Sequence, residues 1–122
     1  MAKRILIVDD AGSMRGLVAM TLRGNGYDVV EAVDGVDAIG KLKSEVKFDL
    51  IFSDLNMPNM NGIELIRAVK AESAFKFIPI VMLTTVSDDA KKVEGQQAGA
   101  KAWIVKPFKP ETLVGVAKKI VG

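Results

Sequence analysis

The chain has 122 residues, a size that buries one core without disulfides or a structural metal. Its residues are 49% hydrophobic and 26% charged, as in an ordinary globular protein, and a formal charge of +2 makes no case for nucleic acid. With no Cys and no His there is no Ser/His or Cys/His nucleophile pair, no ordinary zinc site and no imidazole to phosphorylate, which leaves Asp, Glu, Lys, Ser, Thr and Tyr for chemistry.

The start, MAKRILIVDD, holds too short an apolar stretch for a signal peptide, and no run approaches the roughly 18 residues of a membrane span. A soluble intracellular protein is expected. Residues 5–8, ILIV, lack the alternation of a half-solvated strand, so they are predicted to be a strand covered on both faces, as in a parallel sheet. A helix follows with Met14, Leu17, Val18 and Thr21 at helical spacing, Ser13 as its cap and Gly26 as a left-handed residue at its end. Residues 27–32 read as the second strand. Asp34 then caps a helix presenting Ala38, Ile39, Leu42 and Val46.

The third strand is expected at 50–53, and Asn61 with Glu64 has the spacing of a capping box ahead of Leu65, Ile66 and Val69. The fourth is expected at 78–83. The helix over about 88–98 offers only Ala90, Val93 and Ala98 as apolar anchors, so weak packing is expected before Gly99 ends it. Residues 102–105 form the fifth strand, and Pro110 suits the first turn of a helix presenting Leu113, Val116, Ala117 and Ile120. Five strands alternating with five helices imply an α/β fold, a doubly wound parallel sheet with right-handed crossovers. Without linker or repeat, 1–122 is expected to be a single domain with no output domain.

In open α/β sheets, ligands sit beyond the carboxyl ends of the strands. There the first strand delivers Asp9 and Asp10, the third Asp54, the fourth Thr84 and Thr85, and the fifth Lys106 followed by Pro107. Two carboxylates about 4 Å apart repel by about 4 kcal/mol at an effective dielectric near 20, so three together need a cation or take up protons. All-oxygen ligation excludes zinc and copper, and so open a site favours magnesium over a calcium cage. A carboxylate, a magnesium ion and a lysine are what phosphoryl transfer onto an aspartate requires. Asp54, alone on its strand, is the expected nucleophile, with Asp9 and Asp10 as metal holders. The crowding also implies that Asp10→Asn stabilises the metal-free fold.

Each element has a plainer alternative. The DD pair could close a turn, Thr84 could be a strand-end hydroxyl, and Trp103 could be core or a partner contact. Lys91, Lys92, Lys101, Lys118 and Lys119 could be a solvated face or a partner surface.

Taken together, LIVDD (6–10), DLNMPNMNG (54–62), MLTT (82–85) and AGAKAWIVKPF (98–108) resemble the receiver domain of two-component response regulators, in its stand-alone chemotaxis type. The resemblance covers the whole chain. It implies a flavodoxin-like sheet of order 2-1-3-4-5. It also implies Asp54 as phosphoacceptor, with magnesium on Asp10, Asp54 and the backbone carbonyl of Asn56, Asp9 reaching the ion largely through water, and Lys106 on the phosphoryl group. Thr84 and Trp103 fall at the switch positions, and Lys106–Pro107 at the family's cis peptide.

The same resemblance implies a cytoplasmic, monomeric signalling protein rather than an enzyme, one that assists its own phosphorylation and dephosphorylation. Its partners would be a sensor histidine kinase, a downstream target on the face of the fourth helix, fifth strand and fifth helix, and possible phosphatases, with neither nucleic acid nor membrane. The segment KPFKPETL favours a motor switch as target, with a phosphorelay protein as the alternative. Trp103 stands where Tyr or Phe is usual, Thr85 where a small Ala is commoner, and Val86 where many relatives are polar. An aspartate-nucleophile phosphatase of the haloacid dehalogenase type would need a second aspartate where Asn56 stands, and a DNA-binding protein would need a recognition motif that is absent.

Overall fold

The computed structural model describes residues 2–44, 47–85 and 88–122. Along it run β1 (Arg4–Val8), α1 (Gly12–Arg23), β2 (Asp28–Ala32), α2 (Gly35–Leu42), β3 (Leu50–Ser53), α3 (Gly62–Ala71), β4 (Ile80–Thr84), α4 (Asp89–Ala98), β5 (Ala102–Val105) and α5 (Pro110–Val121). The strands pair in parallel in the order β2-β1-β3-β4-β5, the order that the family resemblance implied. Successive side chains leave a strand on opposite faces. Leu6 and Val8 therefore join one buried layer with Leu42, Ile66 and Val69 from α2 and α3. Ile5 and Ile7 join the other with Val18 and Leu22 of α1 and Leu113 and Ala117 of α5. Burial on both faces is why ILIV needs no polar position.

The expected caps are present with one exception. The Asp34 side chain accepts from the Asp37 N–H, Asn61 and Glu64 form a reciprocal capping box, and Pro110 opens α5. Ser13, however, is not the cap of α1. Ala11 holds that place without a side-chain bond, because the Asp9 carboxylate has already turned the chain by accepting from the Ala11 N–H at 2.9 Å. The apolar face of α1 shifts with the start. Val18, Ala19 and Leu22 are buried, Leu17 is 46% exposed, and the Thr21 hydroxyl donates back to the Leu17 carbonyl.

The fourth strand begins two residues later than the apolar run, because Pro79 has no N–H to donate, and extends to Thr84. Gly99 caps α4 at φ 121° and Gly26 follows α1 at φ 90°, backbone that favours glycine. The weakly apolar α4 buries only Gly95, while Ala90 and Val93 are exposed. Val46 and Val86 lie outside the described residues. Among the described residues no helix is long and apolar enough to cross a membrane.

Candidate functional site

Sheet register builds the site. Val8 pairs with Ser53, so the residues that follow them, Asp9 and Asp54, leave adjacent strands side by side. The Asp54 N–H donates to the Val8 carbonyl at 2.9 Å, and that of Asp9 to the Ala32 carbonyl at 3.2 Å. On the other side Thr84 pairs with Val105, and the Lys106 N–H donates to the Thr84 carbonyl at 2.8 Å. The peptide between Lys106 and Pro107 is cis.

Asp9, Asp10 and Asp54 each present a carboxylate oxygen within 4.8 Å of the others. Their environments differ. Asp9 is 3% exposed and already spends its oxygens on protein partners: Oδ1 accepts from the Ala11 N–H, and Oδ2 accepts from Lys106 Nζ at 2.9 Å. Asp10 is exposed. Asp54 lies between, with Oδ1 accepting from the Leu55 N–H at 2.8 Å and Oδ2 3.8 Å from Lys106 Nζ, too far for a hydrogen bond. Oδ2 thus has electrostatic help from an ammonium that does not hydrogen-bond it. The hard, all-oxygen donor set suits a divalent magnesium ion held by carboxylates and water.

Burial raises the Asp54 carboxyl above its ordinary value of 3.8, more than the charges of Lys106 (lowering) and Asp9 (raising) move it, while hydrogen bonds from the Leu55 N–H and the Thr84 hydroxyl favour the ionised form. The folded state therefore keeps this proton to a higher pH than the unfolded chain does. Stability tied to it is present below pH 3.8 and is lost as pH rises through the raised folded value. Metal-free Asp54→Asn is accordingly expected to melt at a higher temperature than the wild type at pH 7, with the gain vanishing near pH 3; a gain independent of pH would contradict it.

Met82 pairs with Trp103, and both belong to the layer beneath α3 and α4; Thr84, two residues beyond Met82, points to the same face. Trp103 is partly buried and Thr84 fully. Asn56 is exposed, two residues past Asp54. Its loop is anchored by Asn59, at φ 68°, whose amide donates to Asp34 Oδ2 at 2.9 Å. The Asp37 N–H and then the Asn59 amide hold the Asp34 carboxyl below 3.8.

Three positioning residues escaped the sequence reading. Arg15 donates from Nη1 to the Asp9 carbonyl at 2.9 Å and pairs with Glu31 at 3.2 Å, bracing the turn that carries both aspartates; its signal is a cation in the first turns of the helix after DD. A Cβ on Gly62 would strike the Asp54 carbonyl oxygen, so only glycine lets α3 start there. A Cβ on Gly95 would come 2.8 Å from Trp103 Cζ3, so the missing methyl makes room for the indole. Gly95→Ala gives α4 up to about 1 kcal/mol of helix propensity but displaces that ring. The expected result is a changed emission of the chain's single Trp with little net change in melting temperature; unchanged emission would show that the indole does not feel position 95.

The response regulator receiver domain family matches residues 5–118. Chemotaxis protein CheY1 of Helicobacter pylori is 40% identical over 120 residues, covering 98% of this chain and 97% of that one. The DNA-binding response regulator MtrA of Mycobacterium tuberculosis is 42% identical over 114 residues, 93% of this chain but 48% of MtrA. The crystal structure of Vibrio cholerae chemotaxis protein CheY4 superposes with a TM-score of 0.93 at 45% identity, covering 98% of this chain and 99% of that one. The strand order, the carboxyl-end site and these relatives agree: the chain belongs to the response regulator receiver domain family, in its CheY-like form.

Proposed function

We propose that this chain takes a phosphoryl group from the phosphohistidine of a sensor kinase onto Asp54, in a magnesium-dependent reaction. The observation that carries the reading is the half-buried Asp54 carboxylate, with Oδ2 3.8 Å from an ammonium and one of its oxygens within 4.8 Å of two further carboxylates. Asp10 and Asp54 would hold the magnesium ion, together with the carbonyl of Asn56. Asp9, its oxygens already engaged by Ala11 and Lys106, would reach it through water. Bound there, the ion offsets the charge of the phosphoryl oxygens against the carboxylates.

In the transfer, Asp54 Oδ2 bonds to phosphorus as the phosphorus–nitrogen bond breaks, and the leaving imidazole keeps the electron pair. Lys106 and the Thr84 hydroxyl bind phosphoryl oxygens. Because Thr84 and Trp103 share a sheet face above α4, pulling the hydroxyl toward the phosphoryl group frees space for the indole and shifts a two-state equilibrium at the face of α4, β5 and α5. Hydrolysis returns the group to water, so the protein acts as a self-assisting switch, not a turnover enzyme. Its similarity to chemotaxis proteins over nearly its whole length supports a stand-alone chemotaxis regulator, which we take to be a monomeric cytoplasmic protein with a motor-switch target.

The chemistry is tested by labelling with radioactive acetyl phosphate and magnesium, then adding hydroxylamine. A carboxyl phosphate releases its label to hydroxylamine, whereas an ester on Thr84 or Ser53 keeps it. Retained label would refute the assignment.

A further inference from the structure

The exposed lysines of the chain's last third are not equivalent. Lys91 pairs with Glu94 at 3.4 Å. Lys101 and Lys119 instead gather with Lys70 and Lys76 at the amino ends of β4 and β5, the end of the sheet opposite Asp54. Two adjoining hollows of about 360 and 440 Å³ lie there and share Lys101 and Ile120. Lys70, Lys76 and Phe77 line the first, and Lys119 the second. No carboxylate lines either hollow, and among the described residues none of the four lysines is ion-paired.

The hollow is partly preordered. Lys70 Nζ donates to the carbonyls of Lys76 at 2.9 Å and Ile78 at 3.1 Å, and its stem packs beside Gly99. Lys76 Nζ lies 5.1 Å from the centroid of the Phe77 ring, which is 85% exposed. An uncompensated cluster of ammonium groups around an exposed aromatic ring and an aliphatic floor marks an interaction surface.

We infer that this groove docks an acidic segment of a partner protein, its carboxylates on Lys76, Lys101 and Lys119 and an apolar side chain between them over Ile120 and against Phe77. Charge complementarity and shape select that occupant. Nucleic acid would want guanidinium forks or several stacking rings, and the groove offers lysines and one ring. A flat lipid surface would touch the rim and leave the floor uncovered. Lying at the far end of the sheet from Asp54, the groove serves a partner that docks whether or not the phosphoryl group is present.

The test titrates the full ¹⁵N-labelled chain with acetyl-EDLEDFE-amide and follows amide shifts. In parallel it uses acetyl-EDGEDGE-amide, tripolyphosphate, and vesicles of phosphatidylglycerol and phosphatidylcholine. The expected result is saturable shifts at residues 76–78, 99–102 and 119–121 with the first peptide, weakened by salt. Affinity should fall about tenfold or more in Lys76→Glu/Lys101→Glu, a charge reversal that turns attraction into repulsion. Should that variant misfold, Lys119→Glu and the wild-type shift map decide. No shifts, shifts confined elsewhere, equal binding of the glycine peptide, or tighter binding of tripolyphosphate or vesicles would each overturn the inference.

Discussion

Lys106→Met is expected to slow phosphoryl uptake from acetyl phosphate by about a hundredfold or more, the usual loss when one preorganised donor to a developing anionic group is removed. The same substitution is expected to destabilise the metal-free protein by about 3–5 kcal/mol. The two effects share a cause. The Lys106 and Asp9 side chains, 2.9 Å apart, are only 9% and 4% exposed, so removing the ammonium strands a buried carboxylate. Magnesium should recover part of the stability, since it binds the folded state and supplies the missing positive charge, but not the rate. Lys106→Arg, which keeps the charge, should be the milder variant. Rates by intact mass and melting curves with and without magnesium test this; a Lys106→Met protein of wild-type stability would show that Asp9 does not depend on the ion pair.

Gly62→Ala is the second substitution with a large expected effect. The new methyl would meet the Asp54 carbonyl oxygen, Met82 Cε at 2.5 Å and Leu55 Cα at 3.1 Å. Met82 can swing away, but the backbone at Asp54 and Leu55 cannot, because the Gly62 N–H is bonded to the Leu55 carbonyl at 2.9 Å and Asp54 to the Val8 carbonyl. Overpacking of this kind costs about 1–3 kcal/mol. Relief by movement of the Asp54 backbone would also misplace the carboxylate, so uptake should fall along with stability. A stable, fully active Gly62→Ala protein would show that the start of α3 can move without moving the site.

The fold was legible because its strands are buried on both faces, and continuous apolar runs as short as ILIV and LIFS, each followed by a turn signal, suit a covered strand better than a helix. The sequence misled where a local signal competed with a tertiary one. Ser13 looked like a cap, but the Asp9 side chain had already made the turn, and Leu17 kept helical spacing while facing solvent. Likewise Pro79 interrupts an apolar run whose composition continues through it. The chemical residues were visible because carboxylates and a lysine at strand ends carry their own chemistry. Gly62 and Gly95 were not, since their role is the absence of a methyl beside a neighbour distant in sequence, and only coordinates name that neighbour. The order of the strands came from the family resemblance, because several doubly wound orders would satisfy the same pattern.

The most direct measurement is the intact mass of the protein after incubation with acetyl phosphate, with and without magnesium, beside an Asp54→Ala control. The expected result is one added phosphoryl group that requires both the metal and Asp54. A group added equally to Asp54→Ala, or added without magnesium at the same rate, would contradict the assignment of Asp54 as phosphoacceptor in a metal-dependent site.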